Sequence, residues 1–386
     1  MRTANFVIFF GIFFSIYGLL NFYIFFRGWQ SIPQGSTLRS AYAILFWIVA
    51  VSFIAGRMLE RIWASALSNL LIWMGSFWIA AMLYFFIAVV FLDLLRIGNH
   101  FLQFYPSFVT ANYPQAKYFT SAGTIGLVAV LVLAGHVNAL IPRIRTLDLT
   151  INKSGEGMQT VNIVAVSDIH LGTIVGRHRF DHIVEQVNSL NPDVVLLPGD
   201  IVDEDLAPVI NQNLGEALKE FKPRFGVFAV TGNHEYIGGV EEASDYLAGH
   251  GVVMLRDQAV KVNGSFFLVG REDRSLNQFT GRTRKSLAEL MAGIDRRYPV
   301  ILLDHQPFRL EEAVSQNIDL QLSGHTHYGQ LWPVNFIIDA MFEVSWGYRK
   351  ISDTNIYVSS GAGTWGPPVR IGNHPEIVNI RLRFRK

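Results

Sequence analysis

Residues able to hold a cation or move a proton fall in five short clusters: Asp168-Ile169-His170, Gly199-Asp200, Gly232-Asn233-His234-Glu235, Asp304-His305 and Gly324-His325-Thr326-His327. Mixed carboxylate oxygen and imidazole nitrogen ligands suit manganese, iron, zinc or similar ions better than calcium. Taken singly, each residue would pass for an ordinary buried or surface polar group. Taken together they are too costly to bury unpaired, and a shared metal site explains them better than separate structural roles.

Each cluster ends a short, largely apolar run, at residues 161–166, 194–197, 227–230, 300–303 and 318–322. Runs of this length, rich in β-branched residues, read as strands buried on both faces. The last alternates apolar and polar residues and is expected to be half exposed. Helix-like segments at 178–190 and 215–221 lie between the early runs, so the pattern predicts a layered α/β domain. In open α/β sheets ligands bind beyond the carboxyl ends of strands, where all five clusters fall. Asp168 with His170, and His325 with His327, stand two residues apart. In extended backbone each pair would project to one side and could converge on one metal site.

The rest of the chain is of another kind. Of 386 residues, 50% are hydrophobic and only 16% charged, where soluble domains carry roughly 25%. The deficit is local, because residues 1–142 hold seven basic and two acidic side chains and residues 143–386 hold 25 and 29. Residues 1–142 are expected to form a transmembrane domain of about four helices, at 5–26, 40–58, 66–92 and 119–142. The first is too long for a usual signal peptide, and no small-x-small cleavage site follows it. Tyrosines aside, His136 is almost the only ionisable group within these runs, so an anchor is expected rather than a transporter. Four spans place Arg2, Arg57, Arg61, Arg143 and Arg145 on one side and Arg27, Arg39, Arg96 and Lys117 on the other. That difference of one basic residue favours a cytoplasmic second domain in a multi-pass protein of the cell membrane. A net acidic second domain argues against nucleic-acid binding, and the absence of cysteine excludes disulfides and thiolate chemistry.

The five clusters, in their order and spacing, resemble the signature of calcineurin-like metallophosphoesterases, over roughly residues 162–386. The Gly324-His325-Thr326-His327-Tyr328-Gly329-Gln330 block and the segment from Gly363-Thr364-Trp365-Gly366-Pro367-Pro368 to Arg370 resemble bacterial membrane-anchored phosphoesterases. Tyr328 stands where that subgroup often has glycine. The resemblance implies a β-sandwich flanked by helices holding two divalent metal ions. Asp168, His170, Asp200 and His327 would hold one, and Asp200, Asn233, His305 and His325 the other, with Asp200 bridging. Cations so placed would acidify a water that attacks phosphorus and would neutralise the phosphoryl oxygens. His234 would then be catalytic, stabilising charge or protonating the leaving oxygen. Asp203 would be the carboxylate that orients it, or a plain surface aspartate. Asp304 would support a ligand rather than be one. Arg370 and Arg271 are candidate substrate-binding groups, given arginine's bidentate fit to phosphate, or solvated surface charges, the latter reading suiting Arg271 better. Glu204 and Asp205 stand where the protein-phosphatase branch has an Arg-Gly pair, which argues against a phosphoprotein substrate.

The functional expectation is a membrane-anchored phosphohydrolase. It would cleave a phosphate ester or pyrophosphate, with a lipid-linked substrate and the bilayer itself as partners. Two alternatives stand beside it: a tethered phosphodiesterase for soluble, nucleotide-like substrates, and a non-catalytic metal-binding membrane sensor. The non-ligand His234 argues against the sensor.

Overall fold

The computed structural model describes residues 2–385; Met1 and Lys386, the outer ends of the two expected domains, lie outside the described residues. The chain divides into two compact units, Met1–Gly135 and His136–Lys386. The division falls before residue 142 because the end of the last long helix is tied into the second unit. There His136 Nδ1 lies 2.7 Å from the Pro368 carbonyl, and Asn138 donates to the carbonyls of Arg370 and Asn373 at 2.9 and 2.8 Å.

The first unit contains α1 (Arg2–Ser31), α2 (Thr37–Ile62), α3 (Ala66–Leu102) and short α4 (Ser107–Ala111), and most of α5 (Tyr113–Ala139). α1, α2, α3 and α5 are long and apolar enough to cross a membrane. α2 and α3 run beyond the apolar stretches because charge does not stop a helix; Arg57 and Glu60, one turn apart in α2, pair at 3.1 Å. Serines begin both: the Ser36 hydroxyl accepts from the Leu38 amide, and Ser65 forms a capping box with Ser68. Small residues let α2 and α3 approach closely. A Cβ at Gly56 would lie 2.7 Å from the Ile72 nitrogen, the kind of contact that holds helices together where lipid removes the hydrophobic drive.

The second unit is built on two six-stranded sheets. The strands are β1 (Arg143–Ile151), β2 (Thr160–Ala165), β3 (Val194–Pro198), β4 (Val227–Val230), β5 (Val252–Met254), β6 (Gln258–Val262), β7 (Phe266–Gly270), β8 (Val300–Leu303), β9 (Leu320–Ser323), β10 (Gly347–Ile351), β11 (Thr354–Val358) and β12 (Glu376–Phe384). One sheet has the order β1-β12-β2-β3-β4-β5, the other β10-β11-β9-β8-β7-β6. Residues of both, among them Ile163, Leu196, Val230, Leu268, Ile301, Leu322 and Ile380, form one buried cluster between the sheets. This is the expected sandwich, and α6 (Arg177–Ser189) fills the first expected helical segment. Residues 318–322 differ from expectation: β9 is buried along its whole length. Its polar Gln321 is accommodated because its Nε2 donates to Ser323 Oγ at 3.1 Å, so alternation here does not mean an exposed face.

The topology decides where chemistry can happen. β2, β3 and β4 are mutually parallel, as are β8, β9 and β11. Parallel strands deliver their carboxyl ends to one edge of a sheet, and here the five clusters and the loop after β11 follow such ends.

Candidate metal centre

Beyond the strands the backbone ladder continues for a few residues and then turns sharply. Asp168 N donates to Gly199 O at 3.1 Å and His170 N to Asp200 O at 3.0 Å. Asp168, His170, Asp200, His325 and His327 have φ of 52°, 54°, 51°, 72° and 45°. Left-handed backbone at non-glycine residues costs of order 1–3 kcal/mol each and persists where surrounding structure imposes it. The expected extended geometry of the two i, i+2 pairs is therefore corrected. The turns aim the side chains individually, and His325 and His327 part company.

Among the described residues three groups result, each with its ligand atoms within 4.8 Å of one another: Asp168, His170 and His327; Asp200, His305 and His325; and His170, Asp203 and His234. In the first, His170 Nε2 lies 3.0 Å from His327 Nε2, which is 3.7 Å from Asp168 Oδ1. In the second, Asp200 Oδ2 is 3.1 Å from His305 Nε2, and Asn233 Oδ1 is 2.8 Å from His325 Nδ1 and 3.3 Å from His305 Nε2. Asp200 Oδ2 also lies 3.9 Å from His170 Nε2, so this carboxylate reaches towards both groups. One cross-link ties the two sheets together at the site, His325 N donating to Asp168 Oδ1 at 2.8 Å, while within the first sheet His234 N donates to Asp200 Oδ1 at 2.9 Å. Any side chain at Gly232 or Gly324 would collide with the carboxylates of Asp200 and Asp168 respectively.

The donor set fits divalent cations. Burial lowers both His170 and His327; His234 adds to the fall of the first against the pull of Asp203, and His170 to that of the second, so the two imidazoles that meet at 3.0 Å do so uncharged. Burial pushes Asp168 up to about 7 against the pull of His305, with Asp200 adding to the rise. His325 is driven down to about 3 by burial and by His305. Burial opposes the charges of Asp200 and His305, yet each overcomes it through the other: Asp200 stays well below the usual carboxylate range and His305 well above the usual imidazole range. A buried pocket of converging acceptors of mixed oxygen and nitrogen type is what transition-series and related cations bind.

His234 and Asp203 are brought together as well. His234 Nδ1 is 3.4 Å from Asp203 Oδ1 and 3.8 Å from Glu204 Oε1, and Asp203 Oδ1 is 3.6 Å from His170 Nδ1. Asp203 is buried, not a surface aspartate. Burial alone would lower His234, but Asp200, Asp203 and Glu204 outweigh it and hold it at about 9. Its ring meets that of Trp365 edge to face at 5.6 Å, and Trp365 is 52% exposed.

Two arginines are placed otherwise than expected. Arg370 is fully buried and does not face a substrate. Its Nη2 donates to the carbonyls of Ser360 and Gly363 at 2.6 and 2.8 Å and lies 3.2 Å from His327 Nδ1. It packs behind His327, but as a donor only it cannot take the Nδ1–H that carboxylates and carbonyls accept from metal-bound histidines. His305 does have such an acceptor, its Nδ1 lying 2.8 Å from Pro198 O. Arg271 is buried and pairs with Asp304 and Glu312 at 3.1 and 2.8 Å, while Asp304 also takes Arg284 at 2.9 Å. Tyr328 adopts a left-handed φ of 46° and stacks on Trp346 at 5.2 Å.

Glu235 is the residue sequence reasoning passed over. Buried beneath the site, its carboxylate accepts from the amides of Asp200, Ile201, Val202 and Gly232 and so shapes the turn that carries Asp200. Its place in Gly232-Asn233-His234-Glu235 was visible; that it serves another strand's loop was not.

Comparison with known proteins agrees with this geometry. Residues 161–329 match the family model described as calcineurin-like phosphoesterase. A transmembrane protein with metallophosphoesterase domain from Danio rerio is 35% identical over 270 residues, 67% of this chain and 61% of that protein. An uncharacterized metallophosphoesterase of Aquifex aeolicus (strain VF5) is 32% identical over 259 residues, 66% of this chain and 98% of that one. This chain thus spans less than two thirds of the fish relative and nearly all of the bacterial one. Among solved structures, the 5′-nucleotidase precursor from Thermus thermophilus is similar at 14% identity and a TM-score of 0.36, over 58% of this chain and 54% of that one. The strand-end clusters and the match across nearly the whole Aquifex protein lead to one conclusion: this chain belongs to the calcineurin-like metallophosphoesterase family.

Proposed function

We propose that the protein is a membrane-anchored, two-metal phosphohydrolase that cleaves a phosphate ester or pyrophosphate of a lipid-linked substrate. The observation that carries the hydrolase reading is the pair of three-residue ligand groups with Asp200 reaching towards both and His234, not a member of either, beside them. Asp168, His170, Asp200 and His327 would hold one divalent cation, and Asp200, Asn233, His305 and His325 the other. Cations there would supply Lewis acidity to the phosphoryl oxygens and acidify the attacking water. The chain's own groups do the rest. Asp203 takes the Nδ1 side of His234 and fixes the ring, and the neighbouring carboxylates keep that imidazole protonated, ready to donate to the departing oxygen. Arg370 and the Pro198 carbonyl hold His327 and His305 in register.

The lipid-linked substrate is inferred from what surrounds the site. Trp365 stands exposed against His234, and Trp332, Phe336, Ile337, Met341 and Trp346 are exposed in the segments after His327. Tryptophan on an otherwise apolar fringe suits a bilayer interface. α1, α2, α3 and α5 are read as spans of the cell membrane, with the catalytic unit on the cytoplasmic face by the count of basic residues.

The test is hydrolysis by the full chain in detergent with manganese, using a chromogenic soluble phosphodiester and a phospholipid in mixed micelles. Metal-dependent turnover lost in Asp200→Asn supports the hydrolase, and preference for the micellar lipid supports the substrate class. Equal or better turnover of soluble diesters makes it a tethered phosphodiesterase. Bound metal without turnover of either leaves the sensor.

A further inference from the structure

The first unit contains a cavity of about 440 Å³ between the helices, lined at one end by Ile24, Phe46, Trp78 and Phe85 and at the other by Arg27, Asp93 and Arg96. Its walls are largely apolar, as a hydrocarbon chain requires. The polar end is asymmetric in charge. Arg27 Nη2 pairs with Asp93 Oδ2 at 2.6 Å, and Arg96 Nη1 with Asp93 Oδ1 at 3.1 Å. The hydroxyl of Tyr23 donates to the same carboxylate at 2.6 Å. One carboxylate therefore serves two guanidiniums and a phenol, and a positive charge is left over. Arg27 Nε is buried and has no hydrogen-bond partner among the described residues. Both guanidiniums remain reachable, with side chains 32% and 34% exposed against 14% for Asp93. Two more cations lie at this end of the helices: Lys117 Nζ donates to the Gln30 carbonyl at 3.2 Å, and Arg39 donates to that of Ile32.

We infer that this cavity binds an anionic lipid, its chain between the helices and its phosphate-bearing headgroup against Arg27 and Arg96. Arginine presents paired donors that match phosphate oxygens, and an intramembrane arginine is rarely left without an anionic partner. The site lies in residues 24–125, apart from the groups that would hold metal, so it stands whether or not the hydrolase reading does.

The test is native mass spectrometry of the full chain released from micelles containing phosphatidylglycerol and phosphatidylcholine of equal chain length. One phosphatidylglycerol should be retained per chain, favoured about tenfold (about 1.4 kcal/mol) over phosphatidylcholine, whose choline cation offsets its phosphate charge. Arg27→Gln with Arg96→Gln should abolish the preference. Asp93→Asn should strengthen it, and a gain cannot come from misfolding. Ala122→Phe, which fills the cavity, should reduce retention of both lipids. Retention without headgroup preference, or a preference unchanged in the arginine variant, overturns the proposal.

Discussion

Asp304 and His305 are neighbours at the end of β8, yet they enter two different kinds of buried polar cluster. Asp304 is enclosed by the cations Arg271 and Arg284, and Arg271 in turn by Glu312. Charges and donors there roughly balance, as in an ordinary structural ion-pair network. His305 faces Asp200 and Asn233, and beyond them lie His325, His170, His327 and Asp168. That second cluster is rich in acceptors and poor in donors. Burial by itself does not mark a functional site; an excess of ligand-type groups converging on one point does, because a bound cation satisfies several of them at once.

Removing a ligand should have the largest consequence. Asp200→Asn is expected to bring phosphodiester hydrolysis below detection and to lower bound metal, measured by elemental analysis of the purified chain. If full activity and full metal content survive, Asp200 is not shared between the two groups. His234→Ala should cut kcat by about 10²–10⁴-fold, the usual contribution of a positioned proton donor. Its metal content should be unchanged, because His234 is not in either ligand set; a parallel loss of metal would move it into one. Arg370→Lys, which keeps charge but loses the fork that gathers the Ser360 and Gly363 carbonyls behind His327, should weaken metal affinity about 10–100-fold in a chelator titration, the range found when groups behind metal ligands are changed. No change would reduce Arg370 to a packing role. Trp365→Ala should lower turnover of micellar lipid several-fold more than that of a soluble diester.

Asp304→Asn reverses the profile. Activity per folded molecule should hold, while stability falls by about 3–5 kcal/mol, because Arg271 and Arg284 lose their common buried partner. A thermal melt and a metal assay on the same sample separate the two outcomes. Loss of metal before unfolding would mean that the two clusters are one.

Much of this was legible in the residue order. Apolar runs ended by Asp, His and Asn located the strands and the edge at which they gather, and the charge-poor first third marked long apolar helices. Less legible was anything that depends on who faces whom. Arg370 and Arg271 look like phosphate grips or surface charges in sequence, and both are buried in hydrogen-bond networks. Gln321 makes β9 look half exposed, and a side-chain bond within the strand removes that need.

The amino-acid order by itself determined the strand and helix periodicities, the ligand types and their placement at strand ends, because these are properties of neighbours along the chain. Tertiary structure alone decided the rest. Left-handed turns at five of the ligands separate His325 from His327, and parallel pairing in both sheets joins Asp168 to His327 across 159 positions. Glu235 and Arg370 support residues on other strands. The physical reason is that a ligand cluster is a set of distances, and those distances span the sandwich rather than the sequence.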